Sequence, residues 1–302
     1  MFRLLHLSDL HFDFSLDCLR ASDWLSKRAI GAINHVLRRR RFYRDAKHKV
    51  ERLAEWAKRE GVDCAVVTGD LTVLGTIGEF EEARRALEPL ISAVPRTVVL
   101  PGNHDVYLGD NLNEKRFERY FGPWYVHDAK ELVSSDLLRV VWLGEMAAIV
   151  GVESVKPNPL PWSSRGRVPR GALLELKALL KRPELEKRFL FIALHYGLRR
   201  ANGAPDRFFH RLVNAEEFLS VLGSLRRGCI LHGHIHRHYA LPLPGLGVWA
   251  FCAGSTTAEG RGGIWFFELG SEAVKAVPGR FIEGGWKLIE GGAIRIPFAL
   301  TG

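Results

Sequence analysis

The chain has 302 residues, 47% of them hydrophobic and 25% charged, which allows one large domain or two ordinary ones around a substantial core. Its 30 Gly and 14 Pro, and four Cys without metal or redox spacing, exclude collagen-like, disordered and disulfide-stapled classes, and no repeat period is present. The formal charge of +9 is local: residues 24–50 hold nine Lys or Arg against Asp45 alone, a net +8, so there is one basic patch and an anionic partner to account for.

In chain order, residues 2–7 read as a first strand and Ser8-Asp9-Leu10-His11 as the loop leaving it. The few residues before Asp9 leave no room for a signal peptide, and three of the four cysteines lie in apolar strand-like runs, as expected of free thiols in a reducing cytosol. Across 19–37 the apolar positions Leu25, Ala29, Ile33, Val36 and Leu37 recur at helical spacing, with Trp24 and Ile30 widening the face. That helix runs into Arg38-Arg39-Arg40-Arg41-Phe42-Tyr43-Arg44. A second helix over 46–60 stops at Gly61, a C-terminal cap. Residues 64–68 form a strand that delivers Gly69-Asp70, and 79–92 is a crossover helix to the strand at 97–101. This alternation predicts a parallel central sheet.

Residues 113–121 are expected to be helical, followed by strands at 138–143 and 147–152 and a Pro- and Arg-rich loop, 157–169, containing Trp162. A helix at 172–180 precedes a strand at 189–194 that ends in His195. A surface loop at 199–211 leads to a helix at 215–225, capped by Asn214, and to a strand at 230–232. Short strands near Tyr239, at 248–253 and at 264–269 suggest an antiparallel second half, and the Gly-rich tail after Gly279 carries no signal. No apolar run is long enough to span a bilayer, since 140–152 is broken by Glu145. Nothing linker-like divides the chain. Residues 1–302 are therefore read as one two-sheet α/β domain, with 19–44 as an amphipathic basic insert.

The functional signal lies at the strand ends. Gly102-Asn103-His104-Asp105 follows a β-branched run, where Gly102 is expected to turn the chain sharply. Asp9-Leu10-His11, Gly69-Asp70, His195 and Gly233-His234-Ile235-His236 repeat the pattern. A single histidine is usually a satisfied core residue, but five such clusters converge where open α/β sheets bind ligands. Carboxylate and amide oxygens with imidazoles, and no Cys, suit Mn²⁺, Fe or Zn²⁺. Seven ligands exceed one coordination sphere and fit two ions about 3.5–4 Å apart around a shared carboxylate. His104, left outside that set, can protonate a departing oxygen, with Asp105 fixing its orientation. His6, His232, His238, His210 and the loop arginines are read as core or ordinary surface residues.

The ordered set Asp9-x-His11, Gly69-Asp70, Gly102-Asn103-His104-Asp105, His195 and Gly233-His234-x-His236 resembles the calcineurin-like metallophosphoesterase superfamily. The resemblance implies a four-layer α/β/β/α sandwich of two mixed sheets and a metal-dependent hydrolase of phosphoester or phosphoanhydride bonds. It also implies that Asp9, His11 and His236 hold one metal, that Asn103, His195 and His234 hold the second, and that Asp70 bridges. Two divalent ions are expected as cofactors, manganese first, with iron or zinc as alternatives.

Within the superfamily, Asp9-x-His11, Ser26-Lys27-Arg28-x-x-Gly31-x-x-Asn34 and the arginine run look similar to UDP-diacylglucosamine pyrophosphatases of lipid A synthesis, of the type with His rather than Arg at position 104. That likeness implies cleavage of UDP-diacylglucosamine to lipid X and UMP. The enzyme would be cytoplasmic and peripheral on the inner face of the cytoplasmic membrane, with the insert meeting anionic lipid. Ser8-Asp9-Leu10-His11 and Pro101-Gly102-Asn103-His104-Asp105 also resemble class III cyclic-nucleotide phosphodiesterases, which leaves the insert unexplained. A nucleic-acid-binding protein of the same fold is a third reading, disfavoured by the intact metal set.

Overall fold

Strand β1 (Phe2–Leu7) shows why the chain builds layers. Leu4 packs into one buried cluster, and Leu5 and Leu7 pack into another on the opposite face, as the two-residue period of a strand requires. In the computed structural model, which describes residues 1–298, β1 is followed by the insert helix α1 (Lys27–Asn34), α2 (Ala46–Arg59), β2 (Cys64–Val67), α3 (Ile77–Ala93) and β3 (Arg96–Val99). Next come α4 (Gly109–Asn113), α5 (Arg116–Phe121), β4 (Leu138–Leu143), β5 (Ala147–Val152), α6 (Arg170–Leu179), α7 (Pro183–Glu186) and β6 (Phe189–Ala193). The chain then forms α8 (Ala215–Leu222), β7 (Gly228–His232), β8 (His238–Leu243), β9 (Val248–Ala253), β10 (Ile264–Leu269), β11 (Ala273–Ile282), β12 (Gly285–Leu288) and β13 (Ile294–Pro297).

One sheet runs β12-β11-β10-β1-β2-β3, with β13 also on β11; the other runs β4-β5-β6-β7-β9-β8. Both are mixed. Strands β1, β2 and β3 are parallel, as are β5, β6, β7 and β9, while β10 is antiparallel to β1 and β4 to β5. Leu4, Val66 and Val98 from the first sheet share a core with Ile149, Phe191, Leu231 and Phe251 from the second. Helices α2, α3 and α5 cover the first sheet through Leu53, Phe80, Leu87 and Phe121. Helices α6 and α8 cover the second through Leu176, Phe218 and Leu222. The layers are α/β/β/α, as expected.

Several expectations change. The strands after Gly233 do not make a separate antiparallel half: β8 and β9 extend the second sheet, and β10 to β13 return to the first. The tail after Gly279 is not featureless, since β11 continues to Ile282 and pairs with β12. Asn214 does not cap α8; its amide exchanges two hydrogen bonds with the backbone of Val168 and ties the helix start to the Pro/Arg-rich loop. The expected helix over 113–121 breaks at Lys115, which adopts φ +47° between α4 and α5.

The insert differs most. It is a 3₁₀ turn (Ala21–Leu25), then α1, then a π-helical turn (His35–Arg39) and a second 3₁₀ turn (Arg40–Phe42). The face turned to the protein is Arg28, Ala32 and His35. All five Arg28 donors are satisfied: Nε by the Leu74 carbonyl, the two terminal nitrogens by Asp23, Asn111 and a fork on Asp110 at 2.8 and 2.9 Å. Gly31 lets α1 approach closely, because a Cβ there would strike the Leu74 side chain and the Tyr107 hydroxyl. The apolar row faces outward: Leu25 is 94% exposed, Leu37 75%, Ile30 55% and Ile33 53%.

Candidate metal centre

Because β1, β2 and β3 are parallel, and β6 and β7 likewise, their carboxyl ends deliver their loops to one edge of the sandwich. Asp9 and His11 leave β1, Asp70 leaves β2, Asn103 leaves β3, His195 leaves β6, and His234 and His236 leave β7. Five of these seven, Asp9, His11, Asp70, His234 and His236, have φ between +42° and +65°. The left-handed region costs a non-glycine residue about 1 kcal/mol or more, and such strain persists only where surrounding contacts impose it. The contacts are visible: Ser255 Oγ donates to the Asp9 carbonyl at 2.6 Å, Thr256 Oγ1 accepts from Ser8 N, and Thr257 Oγ1 donates to the Leu10 carbonyl. Gly102, where the sequence predicts a sharp turn, is not in the left-handed region. It is required because a Cβ there would collide with the Asp70 amide and carboxylate.

Side chains converge into two groups that share Asp70. Ligand atoms of Asp9, His11, Asp70 and His236 lie within 4.8 Å of one another, and so do those of Asp70, His195 and His234. Asn103 Oδ1 sits 3.0 Å from His195 Nε2 and 2.8 Å from His234 Nδ1. The other nitrogen of each ring is committed elsewhere: His11 Nδ1 to the Thr72 carbonyl at 2.9 Å, His195 Nδ1 to that of Thr68 at 2.7 Å, His234 Nε2 to that of His210 at 2.7 Å. A ring that donates from one nitrogen presents a lone pair from the other, which is how metal-binding histidines are held. Lone pairs therefore face acceptors. His11 Nε2 meets His236 Nε2 at 3.3 Å and Asp70 Oδ2 at 3.7 Å, and Asp9 Oδ1 is buried with no hydrogen-bond donor. Acceptors converging on acceptors need a cation, so these residues fit a pair of divalent ions.

Protonation follows the same logic. Burial alone would raise the Asp70 carboxyl, but the His195, His104 and His11 rings hold it well below the usual carboxylate range. Burial opposes a charged His195, yet Asp70 and then Asp9 carry it up to about 9. A proton on His195 does there what a cation would do, and metal binding would release it. His11 and His234 are pushed down by burial.

His104 stands beside the first group, its ring edge-on to His11 with centroids 4.9 Å apart. Its backbone N–H donates to Asp70 Oδ1 at 2.7 Å, and its Nδ1 is held by the Val73 carbonyl. Asp105 does not orient it, contrary to the expectation from sequence. Asp105 Oδ2 accepts from Gly102 N and Asp70 N, and Oδ1 from Leu71 N, Thr72 N and Thr72 Oγ1, all between 2.9 and 3.0 Å. It is the anchor of the Asp70 loop. Burial, with the Asp70 charge added, raises its carboxyl to about 7 against those donors.

Sequence reasoning missed Asp206 and His210, read as surface loop. The His210 ring stacks on His234 with centroids 3.9 Å apart, and its Nδ1 meets the Asp206 carboxylate. It also missed Tyr43, a buried residue whose hydroxyl lies 3.4 Å from His236 Nδ1. The Ser255-Thr256-Thr257 run after β9 was the available signal for the supporting shell, a polar cluster at a strand end like the others. His6 is a buried strand residue, as expected, with Nε2 3.0 Å from Thr68 Oγ1 and Nδ1 buried without a partner.

Residues 2–238 match the sequence model of the calcineurin-like phosphoesterases. The chain belongs to this family. A calcineurin-like phosphoesterase with this Asp/His cluster is a metal-dependent phosphoester hydrolase. Among solved structures, the fold is similar to a dimetal phosphatase from Danio rerio, 15% identical over 99% of each chain with a TM-score of 0.67. It is also similar to the purple acid phosphatase PPD1 from yellow lupin (Lupinus luteus) seeds, 11% identical over 98% of this chain and 53% of that one, TM-score 0.62. At these identities the likeness speaks for the fold. No curated protein sequence gives a significant match. Among the described residues, no helix is long and apolar enough to cross a membrane.

Proposed function

We propose that this phosphoesterase holds one ion on Asp9, His11 and His236 and a second on Asn103, His195 and His234, with Asp70 between them. We further propose that it cleaves an acylated nucleotide-sugar pyrophosphate, UDP-diacylglucosamine, to lipid X and UMP at the anionic inner face of the cytoplasmic membrane. The observation that carries the substrate reading is the outward apolar row of the insert. Leu25, Ile30, Ile33 and Leu37 lie exposed along an insert that is clamped by Arg28 and leads to Tyr43 beside His236. A solvated packing helix would turn these residues inward; a helix that meets acyl chains turns them out. Trp162, Phe208 and Phe209 are also exposed, and Lys27 Nζ ties the insert to the loop carrying Trp162 through the Asn158 and Ser163 carbonyls.

Two ions bound here, manganese first by donor type, would activate water and offset charge on the phosphoryl oxygens. The chain's own residues do the rest. His104, fixed at Nδ1, leaves Nε2 for the leaving oxygen. Burial pushes its pKa down to about 4, so an arriving phosphoryl anion must favour the protonated ring before it can donate. Asp105 holds the Asp70 loop, and the Ser255-Thr256-Thr257 hydroxyls hold the Asp9 loop.

Turnover of UDP-diacylglucosamine, cyclic AMP and bis(4-nitrophenyl) phosphate, measured side by side with Mn²⁺, tests the substrate. The lipid substrate should be preferred, and replacing Leu25, Ile33 and Leu37 together by Ser should weaken sedimentation with anionic vesicles and slow lipid turnover. Preference for cyclic AMP, or vesicle binding unchanged in the triple variant, would defeat the membrane reading.

A further inference from the structure

We propose that Arg39 is a substrate-binding residue, aimed by the insert at the second phosphoryl group of a diphosphate diester. The inference rests on the phosphohydrolase reading above and adds the group that distinguishes a diphosphate from a single phosphodiester. The four arginines of the run are not equivalent. Arg38 and Arg41 are exposed, Arg41 lying over the Phe42 ring, and Arg40 is paired with Asp13 at 2.8 Å. Arg39 is half-buried and, among the described residues, has no carboxylate partner.

Its direction follows from helical spacing. Residues 28, 32, 35, 39 and 43 fall three or four apart and share the inward face of the insert. The first, Arg28, meets two aspartates; the last, Tyr43, meets the metal centre. Between them, Arg39 Nη2 donates to the Tyr43 hydroxyl at 3.4 Å, and that oxygen lies 3.4 Å from His236 Nδ1. The guanidinium thus lies two polar contacts from a candidate ligand. A partly desolvated guanidinium without a carboxylate, linked through Tyr43 to a site for anions, is poised for an anion. The scissile phosphoryl group belongs at the Asp/His cluster. Arg39 stands beside that cluster through Tyr43, and the planar fork of a guanidinium matches two oxygens of the adjoining phosphoryl group.

The test compares UDP-N-acetylglucosamine, which has two phosphoryl groups and no acyl chains, with bis(4-nitrophenyl) phosphate, which has one. The first is used as a competitive inhibitor of hydrolysis of the second by metal-loaded protein, with calorimetric affinity for the inhibitor as an independent readout. In Arg39→Ala the inhibition constant and the calorimetric Kd should rise about ten- to hundredfold, the range of a lost charge-assisted pair. That rise should exceed the change in KM for the single diester at least fivefold. Arg39→Lys should recover part of the loss, because an ammonium keeps the charge and loses the fork. Arg38→Ala should behave as the parent. Equal weakening of both ligands, no weakening, or no binding of UDP-N-acetylglucosamine by the parent protein would each overturn the assignment. A parent protein that binds the diphosphate through Arg39 yet ignores UDP-diacylglucosamine would retain this inference and refute the lipid substrate instead.

Discussion

Replacing Asp105 by Asn separates an anchoring role from a catalytic one. The carboxylate accepts from Gly102 N and Asp70 N through one oxygen, and from Leu71 N, Thr72 N and Thr72 Oγ1 through the other. An amide keeps one accepting oxygen; with the NH₂ in place of Oδ2, the Gly102 and Asp70 N–H groups lose their acceptor, and with it in place of Oδ1, Thr72 N loses its acceptor and Leu71 N keeps only its longer contact at 3.3 Å. Hydrogen bonds to a charged group are worth about 1.5–3 kcal/mol each, so two amount to about 3–6 kcal/mol. The carboxyl is raised to about 7, so part of that charge is already neutralised near neutrality, and the lower end applies. A loss of about 3 kcal/mol is large beside the roughly 5–15 kcal/mol that holds a domain folded. Guanidinium unfolding midpoints with and without Mn²⁺ measure it, alongside metal content and turnover of esters with aryl and alkyl leaving groups. The variant should be less stable, hold metal less tightly and lose the same factor in rate on both esters. Full stability, with a rate loss that grows as the leaving group becomes more basic, would refute the anchoring role and restore Asp105 as the orienter of His104.

His104→Ala should retain its metals and lose roughly a hundred- to ten-thousandfold in turnover of alkyl or sugar esters, with a smaller loss on aryl esters that leave unaided. Equal losses across leaving groups would remove His104 from the acid role. The clamp on the insert should be sensitive to acid alone. Burial raises the Asp110 carboxyl, but the bonds from Arg28 and the charge of Arg116 outweigh it, so the folded value is depressed. A depressed carboxyl contributes stability that is present above its ordinary value of about 4 and lost as pH falls through the folded one. Fluorescence of Trp24 on the insert should therefore hold from neutrality to about pH 4 and change below it; a change between pH 7 and 5 would contradict the clamp.

The convergence of the candidate site was legible because the residues concerned make poor packing. Asp9, Asp70 and His234 end apolar strands, where polar side chains serve no core, and parallel strand order alone brings such ends together. The layered fold was legible for a related reason, since strands and crossover helices announce themselves by period. What sequence could not show is direction. The apolar spacing of the insert fits an inward face as well as an outward one, and the outward choice is made by Arg28 finding Asp23 and Asp110, residues 5 and 82 positions away. Asp105 reads as a partner of the adjacent histidine, and only the folded loop shows its oxygens taken by the Gly102 and Asp70 amides. His210 belongs to a loop of ordinary composition; its place beside His234 depends on packing across the second sheet.

Metal stoichiometry distinguishes two ion sites joined by one carboxylate from any single-ion arrangement. Protein equilibrated with Mn²⁺ and freed of excess should carry two equivalents by elemental analysis. Asp70→Asn should carry one or fewer, with nearly all turnover lost, because a neutral amide is a poor bridge between two cations. Two equivalents retained in Asp70→Asn would contradict the shared carboxylate, and a single equivalent in the parent protein would contradict the paired site itself.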